Sequence, residues 1–363
     1  MEKYKNRPFF SIVIACHNCS DTIERLLDSI LDQAVSQDDI EIVISDDRST
    51  DDTIEKVKKY EDRMNIVYTR VPDELAHSPG NTKQTGLEAA SGEWLIFSDH
   101  DDVFEPQTLH LAKQYVIDNN ITFHVKFGFT LWSEDNSYLI DQYPGDTDRR
   151  GDWMHGHLYN TDWVKNNNIH FPKDILGEDI YFNSCTRAQL LVENGGDYSK
   201  NLYLSNSHDL YIYRWIDYKK SFSRSIGDEF SEIYFQDTVH TLDPFMEWYK
   251  RYPQYADAYY FFMVNGIINN YFLIQGDLYK NRFNYRKDNF IFIANYIQYF
   301  LKLFNSSLDE LKDYVYRYPL FFNGLRALGI GEVGVQVVEM YSFRGFIELI
   351  KKVPYNDRQL NFQ

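Results

Sequence analysis

Four apolar runs of strand length, FFSIVIA (9–15), IEIVIS (40–45), NIVYTR (65–70) and EWLIFS (93–98), divide the first hundred residues, and the segments between them have helical periodicity. After the first run, Asp21 and Glu24 have the spacing of a capping box. They stand ahead of Ile23, Leu26, Leu27, Ile30 and Leu31, which share one helical face. DDTIEKVKKYEDR (51–63) reads as a helix with acids first and lysines later, and residues 81–90 read as another. Strands with no polar face must be covered on both sides, and alternation with helices supplies the cover. The expectation is an α/β fold built from βαβ units around a mostly parallel sheet. Such sheets bind ligands at the carboxyl ends of their strands. The segments to inspect are therefore CHNCSD, DDRSTDD and DHDD, which follow the first, second and fourth runs.

Beyond residue 120 the pattern is mixed. FHVKFGFTL (123–131) and LYLSNSHDLYIYRW (202–215) read as strands, and a boundary is expected near residue 226. This gives a first domain over 1–225 and a helical one over 226–363, rich in the chain's 29 Tyr and 26 Phe. Tyr and Phe stripes at helical spacing are expected to be core, with acceptor recognition or oligomerisation as further uses of the region. The 363-residue length suits two domains.

Net charge is −17, which repels a nucleic-acid backbone and makes nucleic acid an unexpected partner. The same charge admits a small anion only beside local cations, helix N-termini or a divalent metal. Three cysteines and no apolar leader in MEKYKNRPFF point to a reducing cytoplasm. The most apolar stretch, AYYFFMVNGIINNYFLI, is interrupted by Asn265, Gly266, Asn269 and Asn270, so no transmembrane span is expected. The modest FIELIKKV end leaves peripheral contact with the inner membrane face open.

Three constellations can carry chemistry. In FSDHDDVFEP (97–106), Asp99, Asp101 and Asp102 crowd a strand end, where a hard divalent cation, Mn or Mg, would relieve their repulsion; a solvated loop capping the next helix is the alternative. In DDRSTDD, Asp46 or Asp47 offers charged acceptors to a base or ribose, or simply builds a turn. In ILGEDIYFN (175–183), Glu178 and Asp179 open a helix and could take a proton from an attacking hydroxyl. Cys16 and Cys19 have redox spacing, but the expected helix starts after them and no second ligand pair exists for zinc.

In order, SIVIACHN, EIVISDDRSTDDT, GLEAASGEWLIFSDHDD and HGHLYNTDWVKNNNIHFPKDILGEDIYF resemble the family 2 glycosyltransferases of GT-A fold, over about residues 8 to 225. The resemblance implies inverting, metal-dependent transfer from a nucleotide-diphosphate sugar, commonly a UDP-sugar, to a hydroxyl of a glycan, glycolipid or glycoprotein. Ala15, His17 and Asn18 would line the base pocket, with Asp47 and Asp46 holding the base. Asp99 with Asp101 or Asp102 would hold ribose and metal; Asp179 would be the catalytic base and Glu178 its neighbour.

The chain departs from the family pattern in three places. His17 stands where tyrosine is usual, Lys83-Gln84-Thr85 where Ala-Arg-Asn is frequent, and His157 where a lysine is common. A cationic contact to the diphosphate then falls to Lys83 or is lost. Trp153, His155 and His157 lie where the family builds its acceptor side. Arg214, Lys219, Lys220 and Arg224 are the local cations for a diphosphate or acceptor, and His208 a candidate metal ligand. A nucleotidyltransferase is the rival enzyme, but it should carry a glycine-rich phosphate loop where ACHNCSD stands. A non-catalytic nucleotide- or glycan-binding module would not need both the Glu-Asp pair and the metal carboxylates.

Overall fold

The computed structural model describes residues 7–145, 153–175, 177–197, 211–216, 237, 239–279, 287–317, 343–356 and 360. The chain divides into two compact units, Met1–Leu190 with Ser199–Phe230, and Leu191–Tyr198 with Ser231–Gln363. The boundary expected near residue 226 lies outside the described residues.

In the first unit, the four apolar runs form β1 (Phe10–Cys16), β2 (Ile40–Asp46), β3 (Asn65–Arg70) and β4 (Trp94–Asp99). They run parallel in the order β3-β2-β1-β4. Ile12, Ile14, Ile42 and Ile44 are fully buried, each worth about 1.5–3 kcal/mol of transfer from water. The chain winds outward from β1 to β3, then α3 (Pro79–Ala89) carries it back to β4 on the other side of β1. The reversal opens a crevice at the carboxyl ends of β1 and β4, where Ala15 lies level with Ser45 and Asp99. The sheet continues through β9 (His157–Asn160) and β6 (His124–Lys126), both antiparallel to their neighbours, so it is mixed and mostly parallel.

The helices deliver the crevice residues. Helix α1 (Ile23–Leu31) buries Ile23, Leu26, Leu27 and Ile30, the expected face. The capping box does not form. Thr22 is the N-cap and makes no side-chain cap bond, while Glu24 is drawn away to Lys56 at 3.2 Å and Lys59 at 2.9 Å. Helix α2 (Thr53–Lys58) is shorter than expected and passes into turns after Lys58. Helix α3 begins earlier than expected, on Ser78, whose Oγ accepts the Asn81 N–H at 3.1 Å, with Pro79 just inside. At Gly86, an added Cβ would collide with Val13 and come within 3.2 Å of the Ser45 Cβ. This glycine lets α3 lie directly on β1 and β2, fastened by Ser45 Oγ donating to Thr82 O at 2.7 Å.

A second sheet runs β5 (Val103–Phe104), β10 (Tyr211–Ile216), β7 (Gly128–Trp132) and β8 (Leu139–Tyr143). FHVKFGFTL is thus two strands in two sheets, parted at Phe127, whose N–H bonds the Gly156 carbonyl at 2.9 Å. Gly156 has φ +77°, and a Cβ there would lie 2.5 Å from the Phe127 oxygen, so only glycine fits. Of LYLSNSHDLYIYRW, residues 211–215 belong to β10, and 202–210 lie outside the described residues. Helices α4 (Thr108–Asp118), α5 (Thr161–Asn166) and α6 (Glu178–Glu193) complete this part of the chain.

The second unit is helical over its described residues: α7 (Asp243–Arg251), α8 (Ala256–Tyr279), α9 (Lys287–Leu303), α10 (Leu308–Arg317) and residues 343–350. Its aromatics pack inward, as the stripes predicted. Phe245 stacks on Phe262 at 5.1 Å and Tyr249 on Phe304 at 4.1 Å, while Trp248, Tyr259, Tyr296 and Phe300 are fully buried. Among the described residues, no helix is long and apolar enough to cross a membrane.

Candidate active site

The loop leaving β4 is held by β10. Tyr213 Oη accepts the Asp99 N–H at 3.0 Å and donates to Asp102 Oδ2 at 2.9 Å. The other Asp102 oxygen accepts the Ile216 N–H at 2.6 Å. Arg25 closes the loop from the α1 side, donating to the carbonyls of Asp101 and Glu134. Asp102 is thereby sealed in, while the Asp99 side chain keeps 44% exposure to the crevice.

His155 comes within 3.5 Å of Asp102 through Nε2, and its buried Nδ1 has no hydrogen-bond partner among the described residues. Donor atoms of Asp99, Asp102 and His155 lie within 4.8 Å of one another. Two carboxylates and an imidazole, one nitrogen left over, are a donor set that fits Mn or Mg-type coordination with nitrogen added. Sequence reasoning placed His155 on the acceptor side; its approach to Asp102 depends on the turn at Gly156 and has no local signature.

Electrostatics separate the three aspartates. Burial, reinforced by the Asp102 charge, pushes Asp101 up to about 7. Burial also raises Asp102, against the pull of His155. For Asp99, burial pushes upward too, but Lys83, His155 and His100 outweigh it and hold the carboxyl below its usual range. His155 is raised because its contact with Asp102 overcomes the cost of burying its charge.

Lys83, delivered by α3, sits 2.6 Å from Asp179 Oδ1, 2.9 Å from Glu178 Oε1 and 3.7 Å from Asp99 Oδ1. It is almost wholly buried, and the three acids overcome the desolvation that would otherwise discharge it. Residues some 95 positions apart in the chain therefore form one charged cluster. Glu178 and Asp179 lie in the first turn of α6, where the helix dipole favours negative charge. Burial pushes Asp179 up to about 6, opposed by Lys83 and assisted by Glu178. At Gly80, a Cβ would come within 2.8 Å of the Pro172 oxygen and 3.3 Å of the Glu178 Cβ, so the first turn of α3 presses on the approach to α6. Phe97, Phe171, Phe182 and Tyr159 pack beneath the cluster.

The other lip is formed by the ends of β1 and β2. Asn18, at φ 50°, accepts the Thr50 N–H at 2.8 Å, and its own N–H meets Ser49 Oγ at 2.9 Å. Asp46 spends both oxygens on the Ser49 N–H, at 3.1 and 3.2 Å, and is the turn builder. Asp47 Oδ1 accepts from Arg48 Nε and Nη2, at 2.9 and 2.6 Å, and lies 3.1 Å from His77 Nδ1. His17 Nδ1 donates to the Asp47 carbonyl at 2.6 Å. Arg48 and His77 were not among the expected residues; a lone histidine in a polar loop carries no pattern. Cys16 and Cys19 are buried and free, and the bond to Cys19, with burial, pushes the Cys16 thiol well up, so Cys16 is no thiolate centre.

The remaining expected residues separate. Trp153 is half-buried, edge-on to Trp215 at 4.6 Å and 5.8 Å from His155. His157 faces the interior: it is buried in β9 with Nδ1 2.9 Å from His124 Nε2, and burial drives it well below its usual range. Arg214 is occupied on the second sheet, 2.8 Å from Glu105 and 4.3 Å above the Trp132 ring. His208, Lys219, Lys220 and Arg224 lie outside the described residues.

Residues 11–172 match the sequence profile of the family described as Glycosyl transferase family 2. The poly(ribitol-phosphate) beta-N-acetylglucosaminyltransferase TarS of Staphylococcus aureus is 31% identical over 107 residues, which are 30% of this chain and 18% of that protein. The UDP-Glc:alpha-D-GlcNAc-diphosphoundecaprenol beta-1,3-glucosyltransferase WfaP of Escherichia coli is 36% identical over 92 residues, 25% of this chain and 35% of that protein. The chain thus covers well under two thirds of these relatives. The crystal structure of S. aureus TarS 1-349 with UDP superposes at TM-score 0.60 and 16% identity, covering 95% of this chain and 92% of that one. The fold is therefore shared with that fragment, the GT-A architecture with a helical C-terminal region.

Proposed function

Because residues 11–172 match the model of Glycosyl transferase family 2, we propose that the chain is an inverting transferase of that family, moving a sugar from a UDP-sugar to a hydroxyl of a glycan or glycoconjugate. The observation that carries this reading is the Lys83–Asp179–Glu178–Asp99 cluster at the switch between β1 and β4. The donor class is supported by TarS 1-349, whose structures hold UDP and UDP-GlcNAc.

Asp179 accepts the proton of the acceptor hydroxyl. That oxygen bonds to the anomeric carbon from the face opposite the diphosphate, the carbon–oxygen bond to the diphosphate breaks, and the electron pair leaves with the nucleotide. A base raised to about 6 is still mostly ionised at neutral pH and is stronger than an ordinary aspartate. Lys83 orients Asp179 and sets its charge; Glu178 shares the lysine. Asp99, Asp102 and His155 would hold a divalent Mn or Mg ion, whose charge stabilises the departing diphosphate. His17, Asn18 and Asp47 form the lip for the base, close to Ala15. On this reading residues 1–225 are the catalytic domain, and the helical residues 226–363 serve acceptor recognition or oligomerisation.

A panel of nucleotide-diphosphate sugars with Mn²⁺ or Mg²⁺ and varied hydroxyl acceptors tests the proposal through nucleotide release. UDP-sugars should turn over, and Asp179→Asn and Asp99→Asn should not. No turnover and no UDP binding under any of these conditions would overturn the enzyme reading. An Asp179→Asn variant as active as the parent would remove the base assignment alone.

A further inference from the structure

We propose that His17, Asp47 and His77 form a second metal site, taking a borderline transition-metal ion such as Zn²⁺ across the mouth of the β1–β2 lip. It is separate from the carboxylate-rich site at the end of β4. One donor atom from each residue lies within 4.8 Å of the others, giving two imidazole nitrogens and one carboxylate oxygen. Three protein ligands of this kind with an open fourth position are a usual zinc arrangement.

The tautomer of His17 is set by its partner. The Asp47 carbonyl can only accept, so the 2.6 Å contact places the proton on Nδ1 and leaves the Nε2 lone pair for a ligand. Among the described residues, that nitrogen's hydrogen-bond contact is Asn18 Nδ2 at 3.3 Å, a long contact that also treats Nε2 as an acceptor. A histidine that donates one N–H to a backbone carbonyl while offering its other nitrogen is already oriented as a metal ligand. His77 faces it with ring centroids 5.2 Å apart and planes at 64°, its side chain 61% exposed and free to turn toward an ion.

The third donor is the buried Asp47 carboxylate, with Oδ1 3.1 Å from His77 Nδ1. Arg48 loads only Oδ1, leaving Oδ2 without a partner among the described residues. The guanidinium weakens the purely electrostatic attraction that hard ions depend on. Imidazole donation is less affected, so the donor set selects zinc over Mg²⁺ or Mn²⁺. At the β4 end the donors are mainly carboxylate, which suits hard ions such as Mg²⁺ and Mn²⁺ better than the His17–His77 pair does. An ion on His17 and Asp47 would also stand where the proposed function puts the donor base. This consequence rests on that reading; the zinc site does not.

The test is a titration of the metal-free, untagged full chain with Zn²⁺ alone, in competition with a chromogenic chelator, repeated in excess Mg²⁺. One zinc equivalent should persist in Mg²⁺ and in Asp99→Asn. Its Kd should rise at least about tenfold in His77→Ala and recover in His77→Cys, which restores a ligand at this exposed position. Zinc binding that ignores His77→Ala, or that disappears in Asp99→Asn, overturns the proposal. Zn²⁺ should weaken UDP binding to the parent and not to His77→Ala. If zinc binds through His77 and UDP affinity is unmoved, the zinc site stands and the base placement falls.

Discussion

The loops after β2 and after β4 are both dense in aspartate, yet the fold uses them in opposite ways. After β2, Asp46 spends its oxygens on a backbone N–H, Asp47 is partnered by Arg48, and Asp51 bonds Thr53 and Ser20, which outweigh burial and hold its carboxyl down to about 2. After β4, burial raises Asp101 and Asp102, and only Asp99 is held low, by a lysine from another helix. Similar sequence therefore makes a lip shaped mainly by local donors on one side and a charged floor held by groups from distant elements on the other. Aspartates that find N–H donors locally build backbone geometry. Those that do not must find cations or protons, and chemistry follows them.

The comparison is broken most severely at the floor. Asp179→Asn should lower kcat by about 10²–10⁴-fold with UDP affinity little changed, measured by single-turnover rates and UDP titration. In the parent, kcat/KM should fall as pH drops through about 6, because the base works ionised and burial has raised it there. Replacing Lys83 by Met removes the charge that opposes this rise, so the break should move upward by about 1 to 3 pH units. A downward or absent shift would mean that Lys83 does not govern Asp179.

A smaller effect belongs to the support behind the floor. Tyr213→Phe deletes the hydroxyl that joins Asp99 to Asp102, and should weaken Mn²⁺ binding about 10–100-fold, read by calorimetry on the protein without donor. Unchanged affinity would show that the loop after β4 holds its shape without β10.

The smallest effects belong to the lip and sharpen the contrast between neighbours. Asp47→Asn should raise KM for the donor by roughly tenfold with kcat nearly constant, as expected for a group used equally in ground and transition states. Asp46→Ala should instead cost about 1 kcal/mol of stability by denaturant titration, since its bonds go to the turn. If the two substitutions behave alike, the division between turn builder and base holder is wrong.

The amino-acid sequence by itself determined the four parallel strands, their helical cover, the carboxyl-end crevice and the acids that reach it. Those features rest on apolar periodicity, which acts over a few residues and is written where it acts. It could not settle the capping of α1, because Lys56 and Lys59 compete for Glu24 from a different helix. Nor could it tell that Lys83 would pair with Asp179, that His155 would turn toward Asp102 while His157 two residues on is buried against His124, or that His77 would meet Asp47. Ionisation and partnership depend on burial and on charges from distant parts of the chain, 96 residues apart for Lys83 and Asp179, and only the tertiary structure brings them together.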